Sequence, residues 1–376
     1  MMQELLELTR ELADKELRPA VDAAERAGTF PRDTFRLLGR SGLLGLPYPE
    51  RWGGGGQPYE VYLQVVEELA RSWLTVGLGV SVHTLTCFPL ATAGTPEQQE
   101  RWLPDMLGGD LIGAYCLSEP QSGSDAAALA TRATAGGDGY RIDGVKAWIS
   151  HAGQADFYSV FARTSGEASG PDRARGISCL HVPASTGGVS AGPAEHKMGM
   201  RASVTAQMIF DGARVPADHL VGEEGDGFAI ALAALDAGRL GIAACATGLA
   251  QAALDTAVGY ARERRQFGQP IIDFEGLSFL LADMATGVEA ARALYRAAAR
   301  CKDAGQPFSA QAAMAKLFAA DTAMRVATDA VQVLGGYGYV EDFPAERYMR
   351  EAKVLQIVEG TNQIQRLVIA RALRRG

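Results

Sequence analysis

The chain has 376 residues, 47% of them hydrophobic and 21% charged, with a formal net charge of −8. That length exceeds one simple core and calls for two or three domains. An acidic balance whose densest basic cluster is "RERR" (262–265) excludes the broad basic face that nucleic-acid binding needs, though not local phosphate sites.

Residues 1–112 read as an α-helical domain. "MQELLELTRELADKEL" carries a helical stripe at 5, 6, 8, 12 and 17. "PRDTFRLLGRSGLLGLPYPERWGGGG" reads as a short helix running into glycine turns. "YEVYLQVVEELARSW" and "TPEQQERWLPDMLGG" read as two more helices, the second with Thr95 as N-cap and Pro96 in its first turn. From 113 to 222 the texture alternates and is broken by glycines. "YRIDGVKAWIS", "DFYSVFART", "GISCLHVPA" and "TAQMIFDGARVP" read as strands of a compact β domain, and "TSGEASGPDRARG" as a hairpin loop. From 223 to 376 four antiparallel helices form a bundle: one long helix over 227–265, one over 275–305, one over 309–336, and a shorter one after "EGTNQ".

The five cysteines are far apart and none forms a Cys-x-x-Cys pair, so they read as reduced core thiols. The acidic, helical N-terminus is neither a signal nor a transit peptide, and no apolar run approaches membrane-span length. These features place the protein in the cytoplasm, off the membrane. Rossmann, P-loop and Gly-x-Ser-x-Gly patterns are absent, and the five histidines never stand at metal-ligand spacing, so no metal is expected.

Four stretches carry chemistry. In "YCLSEPQSGSD" (115–125), Tyr115, Leu117 and Ser118 lie on an extended run before a turn that is either an ordinary Pro/Gly turn or an anion cradle with the Ser124 hydroxyl. In "VKAWIS" (145–150), Trp148 is either a core residue or a flat wall for an aromatic cofactor, with Ser150 at its polar edge. In "ARERRQFG" (261–268), Arg264 either complements a helix dipole or binds a phosphate. In "VLQIVEGTNQIQR", Glu359 is an acid in apolar surroundings: a helix-entry acid before the N-cap Thr361, or a poised base.

Together with "KMGMRASVTAQMIFDGARVP", "GFAIALAALDAGR", "QVLGGYGY" and "ERYMREAK", these stretches resemble, in order and over nearly the whole chain, the acyl-CoA dehydrogenase family. "LDAGRLGIA", "PAERYMREAK" and "EGTNQIQRLVIA" are most similar to its short-chain and short-branched-chain members. The resemblance implies an α+β, mostly α fold: an N-terminal helical domain, a central β-barrel-like domain and a C-terminal four-helix bundle enclosing FAD. It implies a homotetramer, a dimer of dimers, that oxidises an acyl-CoA to the trans-2-enoyl-CoA and passes electrons to an electron-transferring flavoprotein. Residue by residue it places Tyr115, Leu117, Ser118, Trp148 and Ser150 around the flavin. Arg264, Gln266 and Phe267 would bind the partner subunit's FAD, with Gln332 and Gly336 at its adenosine half, and Thr361 and Gln363 would hold FAD in the same subunit. Glu359 becomes the base for the α proton, with Gly360 turning the chain beside the substrate. Ser124 falls near the CoA moiety, and Asp236 and Arg239 are CoA contacts whose i,i+3 spacing equally allows a simple ion pair.

Some members carry the base on the long helix, where this chain has Gly238. Two departures inform the substrate. Val358 replaces a tyrosine common before the base, which implies a roomier pocket for a branched or bulky acyl group. Gly77 stands where glutaryl-CoA members place an arginine, which argues against a dicarboxylyl substrate. The rival readings are a carrier-protein-bound acyl substrate or O2 as acceptor on the same fold, and a non-catalytic flavin-binding protein.

Overall fold

The computed structural model describes residues 2–170 and 172–374. Six helices come first: α1 (Met2–Leu12), α2 (Val21–Ala27), α3 (Arg32–Arg40), α4 (Tyr59–Ser72), α5 (Leu74–Ala93) and α6 (Pro96–Leu107). The N-terminal stripe does not make one continuous helix. After Leu12 the backbone loosens into a π turn over Ala13–Leu17 and then a 3-10 turn over Arg18–Ala20, at Pro19. Helix α6 starts as its sequence dictates. The Thr95 hydroxyl accepts from the Gln98 N–H and the Gln98 side chain returns to the Thr95 N–H, with Pro96 in the first turn.

Helix α5 is a correction to the sequence reading, which named no helix there. It is apolar on every side, so no amphipathic stripe marks it. It and the long C-terminal helix described below are both long and apolar enough to cross a membrane, contrary to the expectation that no run approaches that length. In α5, 89% of the most apolar window is buried inside the protein, as in a core helix.

The middle of the chain forms β1 (Gly113–Cys116), β2 (Arg132–Gly136), β3 (Gly139–Ser150), β4 (Phe157–Arg163), β5 (Ile177–Pro183), β6 (Val189–Ala191), β7 (Thr205–Pro216) and β8 (Leu220–Val221). They make one eight-stranded sheet in the order β6-β7-β3-β2-β4-β5-β8, with β1 parallel to β4. Strand β4 is buried at every residue; it pairs with β1, β2 and β5 and lies against α5 and the long helix over Gly227–Glu263. The polar 164–176 connection joins β4 to β5 as the expected hairpin, antiparallel from Arg163↔Ile177; its Pro171 lies outside the described residues.

The C-terminal part holds α7 (Gly227–Glu263), the short hairpin β9 (Arg265–Gln266) and β10 (Gln269–Pro270), then α8 (Glu275–Asp303), α9 (Ser309–Leu334), α10 (Ala345–Leu355) and α11 (Asn362–Leu373). Among the described residues five helices stand here rather than the four expected; the additional one is α10, the "AERYMREAKVL" stretch. Helix α7 is the spine. It packs along α9, α4, α5 and α8 through alanines and glycines, whose small side chains let backbones approach closely. Four of the five cysteines are buried and all five are free thiols, as expected.

Candidate active site

Glu359 sits in the tight connection between α10 and α11. It adopts a left-handed conformation (φ 52°) and is followed by Gly360 at φ 88°. Two consecutive residues there are costly except where one is glycine, so Gly360 is what the turn requires. The turn aims the carboxylate inward. The residue as a whole is half-buried, yet neither carboxylate oxygen is reached by solvent or has a hydrogen-bond partner among the described residues. Burial pushes the carboxyl up to about 7, against the opposing pull of Lys316 and then Arg239.

The space it occupies is cleared by Gly238 on α7. A Cβ there would overlap Glu359 Oε2 and lie 3.1 Å from its Cδ and 3.2 Å from Leu85 Cδ1. The backbone of the long helix at Gly238 is therefore against the Glu359 carboxylate itself. Gly238 also lines a cavity of about 260 Å³ together with Tyr48, Trp52, Tyr59, Thr84, Phe88 and Ala237.

Around Glu359 stand Tyr59 and Tyr62 on α4, Tyr115 on β1, and Arg239 and Cys245 on α7; all feel its charge. Burial raises all three tyrosines and Cys245, so they remain neutral hydroxyls and thiol at pH 7. Arg239 is only 5% exposed and ion-pairs with Asp236, whose Oδ1 also accepts from Ser309 Oγ at 2.9 Å. The i,i+3 pair thus forms, and the buried Arg239 acts on the Glu359 carboxylate by its charge.

The β side of the site rests on a buried ion pair that the sequence reading missed. Lys146 Nζ donates to Glu119 Oε1 at 2.8 Å and to the Leu117 carbonyl at 3.1 Å, with Lys146 fully buried and Glu119 nearly so. Glu119 also accepts from the Ala130 and Thr131 N–H groups and from Gln121. The turn after Ser118 is therefore filled by the chain's own carboxylate. The Ser122 hydroxyl, bonded to the Asp125 carbonyl, holds the turn, while Ser124 is exposed on it. The Ala147 N–H donates to the Ser118 carbonyl at 2.9 Å, which ties the Leu117–Ser118 segment to the strand bearing Trp148 and Ser150. The pairing of β3 with β7 is irregular between Lys146 and Ile149. Trp148 takes φ 62° there and is turned outward, 65% exposed. It is not a core tryptophan.

Arg264, Gln266 and Gly336 are brought together around a second cavity, of about 680 Å³, with Tyr337 beneath the Arg264 guanidinium at 5.8 Å. Phe267, at φ 52°, is the tip of the β9–β10 hairpin and is 94% exposed. Gln332 and Gln363 stand exposed on α9 and α11. Thr361 is the N-cap of α11, its hydroxyl accepting from the Ile364 N–H. Val358 is half-buried and packs on the main core.

These surfaces fit FAD. An outward tryptophan, with Ser150 and the Ser118 segment at its polar side, suits a planar ring with hydrogen-bonding edges. An arginine, a glutamine and open glycine backbone beside tyrosine suit phosphates and a nucleoside.

The chain matches the acyl-CoA dehydrogenase N-terminal domain over residues 2–110, the middle domain over 114–213 and the C-terminal domain over 225–374. It is 46% identical to an acyl-CoA dehydrogenase of Bacillus subtilis, covering 98% of this chain and 97% of that one. It is 44% identical to the mitochondrial short-chain specific acyl-CoA dehydrogenase of Bos taurus, covering 98% and 89%. Among solved structures, butyryl-CoA dehydrogenase from Megasphaera elsdenii superposes with a TM-score of 0.96 at 41% identity, covering 100% and 98%. A chain in the structure of the electron transferring flavoprotein of Acidaminococcus fermentans does so at 0.97 and 43%, covering 100% and 98%. A glutaryl-CoA dehydrogenase from Mycobacterium smegmatis in complex with FADH2 does so at 0.93 and 28%, covering 100% and 95%. This chain belongs to the acyl-CoA dehydrogenase family of FAD-dependent oxidoreductases.

Proposed function

We propose that this protein oxidises a short or branched acyl-CoA thioester to the trans-2-enoyl-CoA, with Glu359 as the base that takes the α proton. The observation that carries this reading is the carboxylate: shut off from water, without a hydrogen-bond partner among the described residues, and pushed up to about 7. A thioester α C–H is a weak acid. A carboxylate near 7 is a far stronger base than one at the ordinary value of about 4.3, and it still has a substantial ionised fraction at neutral pH. As the α proton passes to Glu359 Oε, the β hydrogen leaves with its electron pair and the α,β double bond forms. FAD, when bound, supplies the acceptor for that hydride.

The chain's other residues hold and orient. Tyr115, Leu117, Ser118, Trp148 and Ser150 would hold the flavin ring, and Thr361 and Gln363 the same FAD. Arg264, Gln266, Phe267, Gln332 and Gly336 would bind a partner subunit's FAD. The cavity beside Gly238 would take the acyl chain, with Val358 and Gly360 near it and Ser124, Asp236 and Arg239 toward CoA. The short-chain and butyryl-CoA names of the relatives support a short acyl group. The likeness to a chain solved with an electron transferring flavoprotein supports such a protein as acceptor.

A homotetramer is supported by exposed Leu294, Met314, Phe318 and Leu367 on the bundle, apolar surface that a partner subunit would cover. A cytoplasmic site is supported by the free, mostly buried thiols.

The test is anaerobic bleaching of the flavin band by a panel from butyryl- and isobutyryl- to octanoyl- and palmitoyl-CoA. Rapid bleaching by the short members is expected, and Glu359→Gln should abolish it with FAD retained. A FAD-loaded protein that no thioester bleaches would instead point to a carrier-bound acyl group.

A further inference from the structure

Lys316 lies on the alanine face of α9, among buried Ala312, Ala313, Ala319 and Ala320, and is itself fully buried. An ammonium removed from water costs several kcal/mol unless it is well solvated by the protein. Its two hydrogen bonds go to neutral oxygens: the Gly360 carbonyl at 3.0 Å and Asn362 Oδ1 at 2.9 Å. No carboxylate lies within ion-pairing distance of it among the described residues. The buried Glu359 carboxylate, one residue before Gly360, also has no hydrogen-bond partner among the described residues.

The surrounding bonds show what the ammonium grips. Asn362 Nδ2 and Gln356 Nε2 both donate to Asp321 Oδ1 at 2.7 Å, the Asn362 N–H donates to the Gln356 carbonyl, and Gln365 Nε2 donates to the Gly360 carbonyl at 2.7 Å. The whole 356–362 turn is held on α9, and Lys316 enters at the peptide next to the base.

We propose that Lys316 is a positioning residue for Glu359: its buried ammonium pins the left-handed turn through the Gly360 carbonyl and acts on the carboxylate by its field rather than by a bond. The intervening peptide unit is the point of the arrangement. A direct Lys–Glu ion pair would occupy the oxygens that must take a proton, whereas a charge one peptide away favours the ionised form and leaves them free.

The charged and titratable groups facing Glu359 are Lys316 from α9, Arg239 and Cys245 from α7, Tyr59 and Tyr62 from α4, and Tyr115 from β1. Those facing Lys316 are Glu359, Asp321 and Arg239. Arg239 is already offset by Asp236, so Lys316 is the cation whose field is least compensated. Burial lowers Lys316 to about 8, so it is charged at neutral pH.

This inference rests on Glu359 as the base, and its test reads the carboxyl directly. Infrared difference spectra of the FAD-loaded protein against pH follow the protonated Glu359 band, which Glu359→Gln removes. Lys316→Met should move the midpoint upward by about one pH unit or more, a tenfold or greater loss of ionised carboxylate on the acidic side, and the acidic limb of kcat/KM should follow. Lys316→Gln keeps an amide donor for the Gly360 carbonyl without the charge. It should move the midpoint the same way, and it serves if Lys316→Met does not fold. An unmoved midpoint in a folded, flavin-loaded variant of either kind overturns the proposal. Wild-type activity in Glu359→Gln would instead remove the base assignment and leave the titration result intact.

Discussion

Gly238→Ala tests the site through one methyl group. The added Cβ would overlap Glu359 Oε2 and stand 3.1 Å from Cδ, with Leu85 closing the other side at 3.2 Å. The spine helix cannot yield, since it is packed against α4, α5, α8, α9 and α10. The carboxylate must retreat, by roughly 1 Å, and a misplacement of that size costs about 100-fold in rate, or about 2.7 kcal/mol in the barrier. Stability should change little: alanine gains about 1 kcal/mol over glycine in a helix, and the overpacking returns about 1–3 kcal/mol. The assay is stopped-flow anaerobic flavin reduction by butyryl-CoA, with flavin content from absorbance and Tm by scanning fluorimetry. The expected result is a fall in kcat with FAD bound and Tm nearly unchanged. Reduction at the wild-type rate would refute the reasoning. So would a rise in KM alone, because Gly238 also lines the neighbouring cavity and the methyl would then be acting on the acyl chain.

Three further outcomes are expected. Glu351 and Glu359 are both pushed up to about 7 by burial, so the folded protein holds protons that an unfolded carboxyl loses near 4.5; stability should fall as pH rises from about 4.5 to about 7, by about 3 kcal/mol for each. Denaturant unfolding across that range should show the slope, and Glu351→Gln should roughly halve it; an equal slope in the variant would contradict the assignment. Lys146→Met strips Glu119 of its cation but leaves its backbone donors, so a loss of about 3 kcal/mol, at the lower end for a broken buried pair, should lower Tm by several degrees and weaken FAD retention. An unshifted melting curve would mean the pair is idle. Val358→Tyr should narrow acyl choice toward straight short chains; the ratio of kcat/KM for isobutyryl- over butyryl-CoA measures it, and an unchanged ratio removes Val358 from the pocket.

The local signals that were legible are those with a one-dimensional rule behind them. Thr95-Pro96 with Gln98 specifies a helix start whatever lies around it, and the alternating runs at 140–150 and 205–216 specify half-buried strands. The helix at 74–93 was not legible because burial on all sides erases the stripe that periodicity looks for. Lys316 left a faint signal, a lone lysine at helical spacing among alanines, which is a polar residue on a buried face. Lys146 left less, since "VKAWIS" alternates and only an irregular pairing with β7 sends Lys146 inward and Trp148 outward.

By itself the sequence determined the helix–strand–helix order, the family resemblance, and the acid-then-glycine turn at 359–360. Tertiary structure alone decided what that acid can do. Its removal from water, the cleared space at Gly238 and the buried charge of Lys316 arise from residues more than forty positions away along the chain, brought there by α7 and α9. A carboxylate's proton affinity is set by the medium and charges around it, and those exist only once the helices have packed.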